Sequence, residues 1–299
     1  LLEDSSAAFA AYNSGEAVLI KDVPTDEIPS LTKAEDGGDF YVDTTLGTYY
    51  VSMNLQRDAF QNAKVRKALA LAIDRDYVAN TIMQGTYEPA YNFVGPGIVD
   101  ESGMFYDNAN GGKPYISDDY DANLEEAKQL LADAGYPNGE GFPTVTYLYN
   151  TSDAHKAVGE ALQQMWQEEL GVTVQLQNQE WNAFLETRKK GEYQIARNGW
   201  IADYNDPCSF LDMWYTGGGN NDAQYSNPEY DAMIDAAKAT SDPAERMSYF
   251  HKAEDIIIGQ DWALGPIYFY TQKYMMADDI SGAFYTPLGY FIYGYCTKG

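Results

Sequence analysis

Residues 178–207, read as NQEWNAFLETRKKGEYQIARNGWIADYNDP, gather the side chains best suited to ligand chemistry into one short span. Arg188, Arg197 and Asp203 lie close together there, in a chain that is otherwise heavily acidic, with Trp181 and Trp200 beside them. Fixed charges of both signs next to flat aromatic faces suit a zwitterionic ligand, and suit a nucleic acid or an apolar metabolite much less well. The pattern predicts an amphipathic helix over 180–190, a strand over 193–197, and a loop ending in Asp203, Tyr204, Asn205, Asp206 and Pro207. Asp203 then follows the carboxyl end of a strand, where open α/β sheets place their ligands. Its plainer reading is a carboxylate that caps the turn before Pro207. Arg197, read as a strand-end residue, either folds back toward the same cleft or pairs with a surface acid. Trp181 and Trp200 suit a pocket wall, although a tryptophan is more often core. Tyr204 and Asn205 complete the candidates from this span. His155, just after Thr151, Ser152 and Asp153, joins them from a helix start, where a surface histidine is the plainer reading.

Enzymatic chemistry finds little support. The two histidines, His155 and His251, are far apart in sequence, and there is no Gly-x-Ser-x-Gly elbow and no His-Glu-x-x-His. Walker-type phosphate loops and dinucleotide fingerprints are absent. Asp203 and Asp206 could form a glycosidase pair, but they share one loop, whereas such carboxylates come from separate elements. The acidic stretches 107–110 and 118–121 lack the full calcium-loop spacing and read as a turn and a helix cap.

The 299 residues can bury a large core, about 75% of the surface that an unfolded chain of this size exposes. Hydrophobic residues make up 45%, the usual share for a globular protein. A formal net charge of −26 repels phosphate backbones and anionic lipid, so nucleic acid is excluded as a partner. The 26 tyrosines offer rigid apolar faces with a polar tip, suited to half-buried sheet positions and to adaptable polar recognition. Two cysteines, Cys208 and Cys296, form neither a disulfide scaffold nor a zinc pattern, and whether they pair is open. No run of 18 apolar residues exists, and nothing at the start reads as a signal peptide; the opening at Leu1 reads as a mature product or an excised piece.

These side chains need a scaffold. Helices are predicted over 4–13, 25–33, 63–73, 75–83, 121–135, 153–169, 180–190, 228–239 and 243–259. Strands are predicted over 17–20, 39–43, 47–54, 144–149, 172–177, 193–197 and 266–270, with an aromatic, extended tail over 284–295. Strands alternating with helices predict an α/β sheet of right-handed crossover units. Residues 85–117, rich in glycine and proline, read as a long irregular excursion of the kind that is functional or mobile.

Several segments resemble the oligopeptide-binding proteins of ABC importers, within the solute-binding family that also covers dipeptides and nickel. They are FQNAKVRKALALAIDRD (60–76), AGYPNGEGFP (134–143), YNTSDAHK (149–156), LGVTVQLQNQEW (170–181) and ARNGWIADYNDP (196–207). The first two mark the superfamily; the last three together mark the oligopeptide branch. The resemblance runs over nearly the whole chain. It implies an α/β, periplasmic-binding-protein-like fold, mainly the second lobe with remnants of the first. Residues 1–50 would be a first-lobe remnant leading into the hinge, 51–270 the second α/β lobe carrying the ligand-binding residues, and 271–299 the return to the first lobe. A further long stretch ahead of Leu1 would hold most of the first lobe.

The function implied is an extracytoplasmic substrate-binding component of an ABC importer, periplasmic or a cell-surface lipoprotein, with no catalysis and no cofactor or metal. It would capture short peptides and deliver them to permease subunits in the membrane. Asp203 would receive the peptide α-ammonium. Arg197 and His155 would lie near the carboxyl end or its bridging water, Arg188 would support Arg197 and the other lobe, and Trp181 and Trp200 would line side-chain pockets. The family also uses a lysine in the segment matching 78–86; here VANTIMQGT has none, which leaves the carboxyl-end contact and preferred peptide length open. Other ligands of the wider family, such as a dipeptide, a nickel chelate or a sugar, stay as alternatives, with a surface hydrolase behind them.

Overall fold

The computed structural model describes residues 4–31 and 38–299. One mixed sheet organises them. Its strands are β1 (Leu19–Ile20), β2 (Phe40–Met53), β3 (Glu88–Pro89), β4 (Val145–Asn150), β5 (Val174–Gln179), β6 (Ile195–Ile201) and β7 (Leu264–Met276). They lie in the order β1-β7-β2-β6-β4-β5, with β3 also on β7. β4 runs parallel to β5 and β6, and the other pairings are antiparallel. The expectation of crossover units therefore holds for the β5-β4-β6 side only. The long β2 and β7 pair antiparallel, which needs no crossover helix.

Two strand assignments change, and both bear on the site. The spans 39–43 and 47–54 form the single strand β2, because the Thr-rich stretch between them is a bulge rather than a turn. Its register against β7 shifts between Thr44 and Thr48. Gly47 sits in that bulge, where a Cβ would come within 2.7 Å of the Trp200 carbonyl oxygen. β6 runs on to Ile201, so Arg197 is a mid-strand residue opposite Val51, and Trp200 faces Thr48 across the ladder.

The helices are α1 (Ser5–Asn13), α2 (Ala63–Leu71), α3 (Tyr120–Asp133), α4 (Asp153–Leu170), α5 (Trp181–Lys189), α6 (Pro228–Ala239) and α7 (Pro243–Glu254). Side-chain caps start them. Asp4, Asn62, Asp119, Ser152, Glu180, Asn227 and Asp242 each accept from a first-turn N–H, and proline opens α6 and α7. The helix expected over 75–83 is a π-helical turn, Tyr77–Ile82, whose entry Asp74 caps at the Tyr77 N–H (2.8 Å). Another π turn, Asp255–Gln260, ends the helix expected to reach 259. Of the helix expected over 25–33, Ile28–Leu31 is present, and its end falls outside the described residues.

The centre of the sheet is buried on both faces, β2 from Thr45 to Met53 and β7 from Leu264 to Phe269, whereas the edge strand β5 is largely exposed. Tyr49, Val51 and Met53 of β2 meet Leu69 of α2, Leu131 of α3 and Trp166 of α4. The intervening Tyr50 joins Ile234 of α6 and Phe250 of α7 in a second core. A smaller cluster joins Ala8 and Tyr12 of α1 to Ile20, Val23, Ile28 and Met275. The boundaries expected at 50 and 271 fall inside β2 and β7, which cross them without a break.

The excursion over 85–117 is not a loose loop. Phe93, Val94, Ile98, Phe105, Ala109 and Ile116 are buried, and Glu254 accepts from the N–H groups of Phe93 (3.1 Å) and Val94 (2.7 Å). The tail forms two short antiparallel pairs, Phe284–Tyr285 with Phe291–Ile292 and Ile280–Ser281 with Thr297–Lys298. Cys208 is buried, Cys296 is exposed, and both are free thiols. No described helix is long and apolar enough to cross a membrane, and the described residues hold no acidic, His or Cys cluster that fits a metal.

Candidate functional site

β6 carries the site. Its alternation sends Arg197 and Gly199 to one face and Asn198 and Trp200 to the other. Gly199 lets Tyr270 of β7 lie across the sheet, since a Cβ there would fall 2.1 Å from the Tyr270 hydroxyl. The Arg197 guanidinium is buried, and its Nε donates to Asn150 Oδ1 at the end of β4 (2.7 Å). The rings of Tyr49 (5.8 Å), Trp181 (5.7 Å) and Phe184 (5.5 Å) surround it. Aromatic faces compensate a partly dehydrated cation without fixing its remaining donors, which stay available to an anionic ligand.

His155 sits in the first turn of α4, its ring 5.6 Å from that of Tyr49 and its Nδ1 3.4 Å from the Tyr49 hydroxyl. Burial, then the Arg197 charge, pushes its pKa down to about 3. The imidazole is neutral at physiological pH, and one ring nitrogen is then an acceptor. Trp181 opens α5 against the Arg197 guanidinium, stacked on Phe184 (5.9 Å) and still 47% exposed. Arg197 thus packs against both Tyr49, which His155 also touches, and Trp181.

Arg188 belongs to the framework. Its Nε (3.0 Å) and Nη2 (2.6 Å) donate to Asp222 Oδ2, and its Nη1 donates to Asn198 Oδ1 (2.8 Å). The pair ties the end of α5 to β6 and to the 222 loop. Its side chains are 11% and 9% exposed.

The loop after β6 is fixed through its backbone and neighbours. The Asp203 N–H donates to Ser209 Oγ (2.9 Å), which also lies 3.4 Å from Trp200 Nε1. Asn205 Oδ1 accepts from the Val99 N–H (2.9 Å) and its Nδ2 donates to the Gly97 carbonyl (3.0 Å), pinning the loop to the excursion. Asp206 caps Cys208 (2.9 Å). The capping role that was the plainer reading of Asp203 falls to Asp206. The Asp203 carboxylate itself is exposed and makes no hydrogen bond or ion pair among the described residues.

Asp203, Trp200 and the half-exposed Tyr204 line a cavity of about 360 Å³, with Asp212, Tyr215 and Lys238 on its other walls. A second cavity, about 610 Å³, opens between the segments around Asp22 and Thr151, floored by Tyr87 and Tyr270 and reached by Lys21 and Lys273. Ile201, two residues before Asp203, belongs to this second cavity. The candidates therefore fall into an Asp203 group that lines the first cavity and an Arg197 group packed around the middle of β6. The sequence did not single out Tyr49, Asn150, Phe184, Asp222 or Lys273. Asn150 lay inside the YNTSDAHK stretch, and Tyr49 in a Tyr-Tyr strand pair, the two usable signals.

The profile of the bacterial extracellular solute-binding proteins, family 5, middle region, matches residues 1–222. The chain is 35% identical over 272 residues to the periplasmic oligopeptide-binding protein OppA of Escherichia coli, covering 91% of this chain and 48% of that protein. It is 31% identical over 288 residues to the oligopeptide-binding protein OppA of Bacillus subtilis, covering 94% and 51%. Among solved structures it superposes on the periplasmic oligopeptide-binding protein OppAIV of Borrelia burgdorferi with a TM-score of 0.85 at 31% identity, covering 99% of this chain and 57% of that one. Haemophilus influenzae OppA in complex with RPPGFSPFR gives a TM-score of 0.81 at 32% identity, covering 96% and 55%. The chain spans about half the length of the curated relatives it matches. Its fold is periplasmic-binding-protein-like, and the chain belongs to the family 5 extracellular solute-binding proteins of bacteria.

Proposed function

We propose that this chain is the part of an extracytoplasmic peptide-binding protein that holds the peptide, working beside an ABC permease to which the peptide is delivered. The observation that carries the reading is the Asp203 carboxylate. It is exposed and unpartnered, on a loop locked by Ser209 and Asn205, at the mouth of a cavity walled by Trp200 and Tyr204. A fixed carboxylate of this kind suits a peptide α-ammonium. The relatives support the reading, being named oligopeptide-binding proteins, one of them solved with a nonapeptide.

In this reading Arg197 and neutral His155 hold the carboxyl end of the peptide or a water that bridges to it. Trp181 and Trp200 face its side chains, and Arg188 keeps the Arg197 strand in place. Main-chain hydrogen bonds with charged ends explain tolerance of many sequences, because every peptide offers the same backbone. The chain binds its ligand and does not transform it. Residues 51–270 act as the second lobe, and a further stretch of polypeptide supplies most of the first.

Calorimetry of a short peptide and its N-acetylated form tests the reading. The free amine binds at least tenfold more tightly, and Asp203→Asn removes that difference. Equal affinity of the intact protein for both forms defeats it.

A further inference from the structure

We propose that His251 of α7 is a positioning residue for Asp203, acting through Asp100 to hold that carboxylate where a ligand's amino end meets it. This rests on the peptide reading above and deepens it.

Residues 98–105 form a tight hairpin on the excursion. The Phe105 N–H donates to the Ile98 carbonyl (2.9 Å), the Asp100 N–H donates to that of Gly103 (3.1 Å), and Val99 bridges to Met104. One arm of the hairpin holds the Asp203 loop, since the Val99 N–H and the Gly97 carbonyl are the partners of the Asn205 side chain. The next residue, Asp100, ties the hairpin to α7. Its side chain is only 6% exposed, and its Oδ2 lies 2.9 Å from His251 Nε2. The same oxygen accepts from Asn108 Nδ2 (2.7 Å), and Oδ1 accepts from the Glu101 N–H (2.7 Å). Adjacent residues, Val99 and Asp100, thus carry the connection from the Asp203 loop to α7.

Burial alone would raise the Asp100 pKa, but the donors of Asn108, His251 and Glu101 outweigh it and hold it below the usual value. An ionised carboxylate only accepts, so His251 donates from Nε2. The imidazole is stacked flat on the buried Phe105 ring (4.0 Å, 7°). Its Nδ1 is buried without a partner, so Asp100 is the one polar hold on the ring among the described residues. Without the Nε2 donor a nearly buried carboxylate is one hydrogen bond short, and such a group turns toward water. That turn moves the peptide unit between Val99 and Asp100, and with it the Val99 N–H that Asn205 accepts. The rest of α7 holds the same assembly. Arg246 reaches Asp206 directly, and Glu254, three residues after His251 and on the same face, holds the N–H groups of Phe93 and Val94. His251 lines neither of the two cavities around the site, so its influence passes only through the loop.

The experiment is calorimetry on the intact protein with one short peptide, as free amine and N-acetylated. It compares wild type, His251→Phe, His251→Gln, Asp100→Ala and the double variant His251→Phe with Asp100→Ala. His251→Phe keeps the stack on Phe105 and loses the donor. Its preference for the free amine falls about threefold or more, while the acetylated peptide binds within about twofold of wild type. His251→Gln, which restores an N–H donor, restores the preference. The double variant falls no further than Asp100→Ala alone, because the two side chains act through one bond. Should His251→Phe fail to fold, Asp100→Ala breaks the same bond and is judged by the same criteria. A wild-type preference in His251→Phe, or an equal loss of affinity for both forms of the peptide, overturns the proposal and leaves the peptide reading standing. A wild type without any preference for the free amine overturns both.

Discussion

Arg246 grips Asp206 with two parallel hydrogen bonds, Nη1 to Oδ2 (2.7 Å) and Nη2 to Oδ1 (2.9 Å). Two carboxylates three residues apart therefore have opposite fates. Asp206 is consumed by the scaffold, capping Cys208 and meeting α7, and Asp203 is left facing the cavity. The same pairing disposes of an acid/base role for the two together. Both Asp206 oxygens are taken up by the guanidinium, and Asp206 does not line the cavity that Asp203 faces.

Arg246→Ala should loosen this loop. The pair is partly exposed, with side chains 28% and 20% accessible, so solvent screens it and the loss of folding stability is about 1 kcal/mol. Ligand affinity should fall by more than that loss suggests, because Asp203 is no longer presented at a fixed place. Urea denaturation beside calorimetry separates the two effects. A variant with unchanged peptide affinity would show that the loop needs no help from α7.

Arg188 and Asp222 form the opposite kind of pair. Both are nearly buried, and Arg188→Ala leaves a carboxylate without its partner in a dry place, a loss of about 3–5 kcal/mol. The double variant Arg188→Met with Asp222→Leu removes both charges and should recover most of the loss. If the double variant is as unstable as the single one, the pair is not where the energy lies. Ligand binding in the double variant then reads how far Arg188 matters to the strand that carries Arg197.

The candidate site was legible in the sequence to the extent that its residues are neighbours along the chain. Trp200, Asp203 and Tyr204 line one cavity because a strand and its loop place them there. Arg197 was visible as a charge, but its position was read as a strand end because Ile195–Ile201 contains Asn198 and Gly199, which do not look like strand. Their reasons are tertiary: Asn198 accepts from Arg188, and Gly199 makes way for Tyr270. Lys273 gave no signal, being a lone lysine in a strand whose polar neighbours Thr271 and Gln272 read as exposed. The excursion read as loose because glycine and proline punctuate it. Its anchoring by Glu254 and Asn205, over a hundred residues away, leaves no local trace.

Glu254 makes stability fall with rising pH. The carboxyl group is fully buried and its pKa is raised to about 8, chiefly by burial, against the two N–H groups of Phe93 and Val94 that favour the charged form. The folded state thus keeps a proton that the unfolded chain loses near 4.5, and the contribution is complete below that pH and lost as pH rises through 8. His155 acts in the other direction. Its folded pKa is depressed to about 3, so its contribution is present above 6.5 and lost as pH falls toward 3. Glu254→Gln, which keeps a carbonyl for both N–H groups, should flatten the decline between pH 5 and 8. Denaturant midpoints across that range in both proteins check it, and an unchanged slope would mean that Glu254 is already ionised in the fold.

The last expectation concerns the chain by itself. With relatives about twice as long, and with the 610 Å³ cavity bounded on one side by short segments around Asp22, we expect part of the peptide's surface to stay in water when only these 299 residues are present. Binding energy comes from the fully dehydrated centre of an interface, and a half-covered ligand does not dehydrate its charges. Asp203 would then meet its counter-charge through solvent, where an ion pair contributes about 1 kcal/mol or less. Peptides should bind the isolated 299-residue chain more weakly than about 1 µM, a free energy near −8 kcal/mol, and should bind tightly once the rest of the first lobe is supplied. Micromolar or tighter binding by the isolated chain would show that the β6 loop and the tyrosine floor suffice without a covering lobe.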